Sequence, residues 1–144
     1  MPVVKIISHA IPPLEEMRAD VDCGAELIFH GRVRANENGK KIVALEYEHY
    51  AGMAEKVLED LMQETMSRFE LTDMLCIHRV GMVAAGDVSV RIIVWSAHRQ
   101  KGQEALAYFI DRMKTDVPIW KWAVTDGGEH FPTGKFQAKD RNKE

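Results

Sequence analysis

The side chains best suited to chemistry fall in one stretch, SAHRQKGQEALAYFIDRMKTDVPIWK, which runs from Ser96 to Lys121. His98 and Arg99 follow a β-type run and open a helix-type run. The free N–H groups and dipole of a helix start favour an anion, and an arginine adds a bidentate clamp for phosphate or carboxylate. Lys114 falls in the last turn of that helix, next to the apolar Met113. A lysine beside apolar surface can have a lowered pKa and serve as general acid, base or nucleophile. Lys121 sits between Trp120 and Trp122 in an extended segment, so it points away from both, on the side of Ile119 and Ala123. Arg34 closes an alternating strand just before a turn. Each has a plainer reading: His98 as a cap, Arg99 as a surface cation, Lys114 as a charge matched to a helix C-terminus, Lys121 and Arg34 as solvated strand residues.

Other chemistries leave no trace. The six histidines form no HxH, HExxH or Cys/His pattern, so no metal site is expected. His30, His49 and His78 read as sheet-face residues, and Cys76, inside a strand, as packed and not nucleophilic. GxGxxG, P-loop and GxSxG motifs are absent from the sequence.

The elements that must position these groups follow from periodicity. Val3 to Ser8 is a β-type run ended by Pro12-Pro13, and Leu14 to Val21 reads as one or two helical turns. Gly24 to Arg34 alternates, with Ala25, Leu27, Phe29, Gly31 and Val33 on one face and a polar, basic set on the other. Asn38-Gly39 is a hairpin signal, and Lys41 to Tyr50 returns as a strand. Gly52 to Phe69 is the clearest helix, with Leu58, Leu61, Met62 and Thr65 on its apolar stripe. Met74 to Val80 and Val88 to Trp95 are strands flanking a loop at Gly81 to Asp87. The helix from Arg99 buries Leu106, Phe109, Ile110 and Met113, Pro118 ends it, and Ile119 to Val124 is extended. Hairpins alternate with helices in the order β-α-ββ-α-ββ-α-β, which predicts an α+β domain with a mainly antiparallel sheet and helices packed on it. One domain over 1–135 and a polar tail over 136–144 are expected.

Composition bounds the partners. The hydrophobic fraction of 46% and charged fraction of 28% are those of a globular protein with a real core. A formal net charge of -3 argues against general nucleic-acid binding, so any anion site must be a local basic pocket. No apolar run approaches a membrane span, and the N-terminus lacks the pattern of a signal peptide. Two cysteines far apart, without CxxC, fit a reduced, cytoplasmic protein.

Five segments occur in a characteristic order: FHGRVR, LEYEHYAGMAEK, IHRVG, SAHR and KTDVPIWK. Together, over about Gly24 to Trp122, they resemble the catalytic large subunit of molybdopterin synthase. The resemblance implies an α/β hammerhead-like fold and a homodimer within a heterotetramer. The partner would be a small ubiquitin-like sulfur-carrier subunit whose C-terminal Gly-Gly, as a thiocarboxylate, threads into a pocket. There sulfur would pass to cyclic pyranopterin monophosphate to make molybdopterin, with no cofactor needed by this chain. Position by position, the resemblance assigns Lys114 as general acid/base and Lys121 as the group that stabilises developing negative charge. It assigns Arg34, His98, Arg99, Phe29 and Lys135 to substrate binding, Lys135 as a residue offered to the neighbouring subunit's pocket. The family's usual glutamate two residues after the second lysine is Ala123 here. The alternative is a non-catalytic homologue that binds a ubiquitin-like tail or a phosphorylated ligand.

Overall fold

A computed structural model describes residues 2–17 and 19–134, and among these alternation and helical periodicity sort the chain into two four-stranded sheets, a two-stranded hairpin, two helices and two apolar clusters. The first sheet contains β1 (Val3–Ile7), β2 (Ala25–Arg32), β6 (Asp73–Arg79) and β8 (Val88–Ser96), in the order β1-β6-β8-β2. Its β1–β6 pair is parallel and its other pairs are antiparallel. Helices α1 (Met53–Arg68) and α2 (Arg99–Asp116) cover one face. Their stripes bury Leu58, Met62, Phe109 and Met113 against Met74, Ile92 and Val94 of the sheet. Gly102 lets α2 lie close, because a Cβ there would come within 2.6 Å of Leu27 and Ser96.

The second sheet is antiparallel throughout: β10 (His130–Thr133), β9 (Ile119–Val124), β5 (Ala44–His49) and β7 (Gly81–Ala84), in that order. It holds the smaller cluster of Val33, Ile42, Leu45, Val83 and Ala123. A separate hairpin pairs β3 (Asn36–Glu37) with β4 (Lys40–Lys41). Asn38 (φ 54°) and Gly39 (φ 80°) both take the left-handed conformation, as a two-residue hairpin turn requires. The α+β, mainly antiparallel architecture is therefore as expected.

Five expectations change. Leu14 to Val21 has no helix among its described residues: Leu14 and Val21 are exposed, and the Pro12 carbonyl accepts from the Arg91 guanidinium (2.8 Å) instead of entering a helical ladder. The strand ending at Arg34 stops at Arg32, where a register shift after Gly31 turns Val33 into the second cluster. The strand over Lys41 to Tyr50 is cut in two, because Ile42 turns inward and its N–H goes back to Ala35 (3.0 Å). The loop at Gly81 to Asp87 contains β7, and the stretch after Asp126 contains β10. Both are four-residue edge strands, too short to show a period of their own. Lys135 and 136–144 lie outside the described residues.

Candidate active site

The two lysines come together because α2 ends where β9 begins. Val117 leaves the helical conformation ahead of Pro118, whose ring disfavours a helical predecessor, and the chain turns directly into β9. Lys114, in the last turn of α2, and Lys121, in the middle of β9, therefore face one cleft of 670 Å³. The cleft lies between the sheets: Phe29 and Val90 come from the first, Tyr47, Lys121 and Thr133 from the second. Phe29 thus joins the lysines, as the resemblance implied, and with Val90 and Met113 it gives the same cleft an apolar part of its lining.

Lys121 is the more buried cation, and Lys114 is exposed at the rim. Burial pushes the Lys121 ammonium below the usual lysine range; the Glu37 carboxylate opposes this, while the charges of Lys114 and Arg34 add to it. Gly134, at φ 90°, lies against the lysine stem, and a Cβ there would come within 3.1 Å of Lys121 Cε.

Three side chains that the sequence reading left out of the site line the same cleft. His78 is 6% exposed. Its Nδ1 lies 2.7 Å from the Arg79 carbonyl oxygen, an acceptor, so Nδ1 carries the proton and Nε2 keeps its lone pair. Burial, reinforced by Lys121 and His49, lowers its pKa to about 4, although the carbonyl contact pulls the other way. The ring is therefore neutral at physiological pH. Tyr47 stacks on it edge-on with centroids 5.2 Å apart, and donates its hydroxyl to Ser89 Oγ (3.2 Å). Ser89 in turn donates to the Gly31 carbonyl (3.3 Å). Burial raises the pKa of Tyr47, which keeps it a donor. Tyr47 lies directly across from Lys121 in the β5–β9 register, information that no local pattern carries.

The remaining candidates are placed differently. Arg34 does not line the cleft; its side chain is 79% exposed and reaches Glu37 at 3.9 Å. His98 and Arg99 sit at the opposite end of α2 from Lys114, about 22 Å away at 1.5 Å per residue. The one stretch of sequence thus separates two pairs, His98 and Arg99 at the start of α2 and Lys114 and Lys121 about its end. His98 makes no side-chain cap; the Ser96 hydroxyl donates to its carbonyl (2.6 Å), and the ring borders a separate hollow with Glu70 and Lys101, which form an ion pair. Ala123 is fully buried beside Leu45 and Phe131, so β9 offers Lys121 no carboxylate.

A lysine pair in a partly apolar cleft, with a neutral imidazole and a phenol at hand, suits a flat anionic ligand and a reaction that moves protons and negative charge. Known proteins point the same way. The profile of the MoaE protein family matches residues 7–116. The molybdopterin synthase catalytic subunit of Pyrococcus abyssi is 39% identical over 111 residues, 77% of this chain and 75% of that protein. That of Thermoplasma volcanium is 41% identical over 127 residues, 87% and 93% of the two chains. The crystal structure of molybdopterin synthase from Staphylococcus aureus superposes with a TM-score of 0.80 at 34% identity, covering 90% of this chain and 96% of that one. With the family match running from the end of β1 to the end of α2, and so over more than half of the sequence, the chain belongs to the MoaE protein family.

Proposed function

We propose that this chain is the catalytic subunit of a molybdopterin synthase, an enzyme of molybdenum cofactor biosynthesis. It transfers sulfur from the C-terminal thiocarboxylate of a small ubiquitin-like carrier to cyclic pyranopterin monophosphate. The observation that carries the reading is the cleft that Lys114 and Lys121 share with the apolar Phe29, Val90 and Met113. The phosphate and the thiocarboxylate are both anions and need cations. The flat pterin needs apolar surface such as Phe29 and Met113 provide. Lys114, exposed at the rim, meets the incoming carrier tail and serves as acid/base; Lys121, deeper, stabilises negative charge as it develops. A narrow Gly-Gly tail, free of side chains, fits such an opening.

His98 and Arg99 bind substrate in this scheme from a second protomer of a homodimer, since their own Lys114 lies at the far end of α2. Arg34, outside the cleft beside Glu37, contributes in this scheme as an outer anion contact. Each dimer would carry two carriers, giving a heterotetramer. Two free cysteines, and the absence of any described helix long and apolar enough to cross a membrane, support a cytoplasmic setting.

The test is reconstitution from this chain, a thiocarboxylated carrier and cyclic pyranopterin monophosphate, assayed for molybdopterin. Wild type forms product, whereas Lys114→Ala loses about 10²-fold or more in rate yet still binds carrier. Turnover by a folded Lys114→Ala protein would remove that lysine from the mechanism. Carrier binding without product in the wild type would favour the non-catalytic alternative.

A further inference from the structure

We propose that Glu37, on the β3–β4 hairpin, is a positioning residue of this site: its carboxylate, fixed by Thr133, is the counter-charge that holds the Lys121 ammonium in the cleft. The idea rests on the sulfur-transfer reading of the cleft for its catalytic part, but its electrostatic part stands without it.

The hairpin is an exposed arm, with Asn36, Lys40 and Lys41 all in solvent. Glu37 is the exception, with a side chain 13% exposed. A carboxylate is not left that far from water without partners. Thr133 supplies one, donating its hydroxyl to Glu37 Oε1 at 2.8 Å. Thr133 is itself buried and faces Lys121 across the β10–β9 pair, and the next residue, Gly134, packs on the lysine stem. One short edge strand therefore grips the lysine and the acid together.

The charges around Lys121 explain why an acid is needed. Lys114 approaches from α2, Arg32 lines the cleft from β2, and Arg34, just before the hairpin, adds its charge from outside the cleft, where it lies 3.9 Å from Glu37. His78 of β6 and Tyr47 of β5 are neutral, and His49 of β5 adds to the field at His78. Asp111 of α2 lines the cleft, but Glu37 is the acid whose charge acts on Lys121. On that face β9 offers Lys121 only the apolar Ile119 and Ala123, so the carboxylate comes from the hairpin. Removing it leaves burial and two like charges to push the lysine toward its neutral form.

The first test needs no turnover. The full-length chain is treated with acetic anhydride over a pH series and modification is read by mass spectrometry at Lys121, with exposed Lys56 as internal standard. In Glu37→Gln the Lys121 midpoint falls by about one unit. Thr133→Val, which keeps the charge but frees it, shifts the midpoint in the same direction by less, and Glu37→Asp stays near wild type. An unchanged Lys121 midpoint in folded Glu37→Gln overturns the proposal. The second test is kinetic. In reconstitution, Glu37→Gln lowers kcat about tenfold with its pH optimum displaced to lower pH, and Glu37→Asp recovers most of the loss. A wild type that makes no product defeats the sulfur-transfer reading while the Lys121 titration still decides the electrostatic claim. An active wild type matched by Glu37→Gln in rate and pH profile defeats the positioning role.

Discussion

His78 stores a measurable part of the pH dependence of folding. Its pKa is about 4 in the fold, against an ordinary value of 6.5, so between those values the unfolded chain binds a proton that the native state refuses. Stability is then lost as pH falls from about 6.5 toward 4, by up to about 3 kcal/mol. Urea midpoints at pH 7, 5.5 and 4.5 should fall steeply for wild type and more gently for His78→Gln. Cys76 gives a second check at this scale: full burial raises its pKa to about 12. One thiol, Cys23, should react in the native protein, and both in denaturant. The sequence singled out Lys114 and Lys121 because charge beside apolar runs is visible locally, whereas Phe29 entered through the family resemblance. It could not single out His78, Tyr47 or Glu37, which owe their places to pairings between distant strands.

At the scale of elements, α2 does the most, since it carries Lys114 at one end and His98-Arg99 at the other. Its seat on the first sheet depends on Gly102. Gly102→Ala gains helix propensity but drives a methyl to within 2.6 Å of Leu27 Cδ1 and Ser96 Oγ. We expect a net loss of about 1–3 kcal/mol, read as a lower urea midpoint with unchanged slope. Both helices and the alternating β2 were legible because each spans enough turns or residues to show its period. The edge strands β7 and β10 were not, being four residues long and defined by their neighbours. The acids and spacing of Leu14 to Val21 imitated a helix start, but with no apolar face to bury there was nothing to hold one.

For the whole molecule, a site shared between protomers has a direct signature. Lys114→Ala and His98→Ala homodimers should each be inactive, and random exchange of their subunits should restore about a quarter of wild-type activity, because half the dimers are mixed and each then has one intact site. No recovery after demonstrated exchange would place His98 outside the neighbouring cleft. The pairing of β2 with β8 and of β5 with β9 has a further consequence, for the order in which the molecule matures. Ala25 must find Ser96, and Ala44 must find Val124, so both walls of the cleft close over about half of the chain's length. Such distant pairings form slowly, after local helices. On the ribosome, β5 is made long before β9 emerges, and until Thr133 follows there is neither a seat for Lys121 nor an anchor for Glu37. Competence to handle sulfur is thus the last property the polypeptide acquires, and in refolding it should return after helical circular dichroism has already recovered.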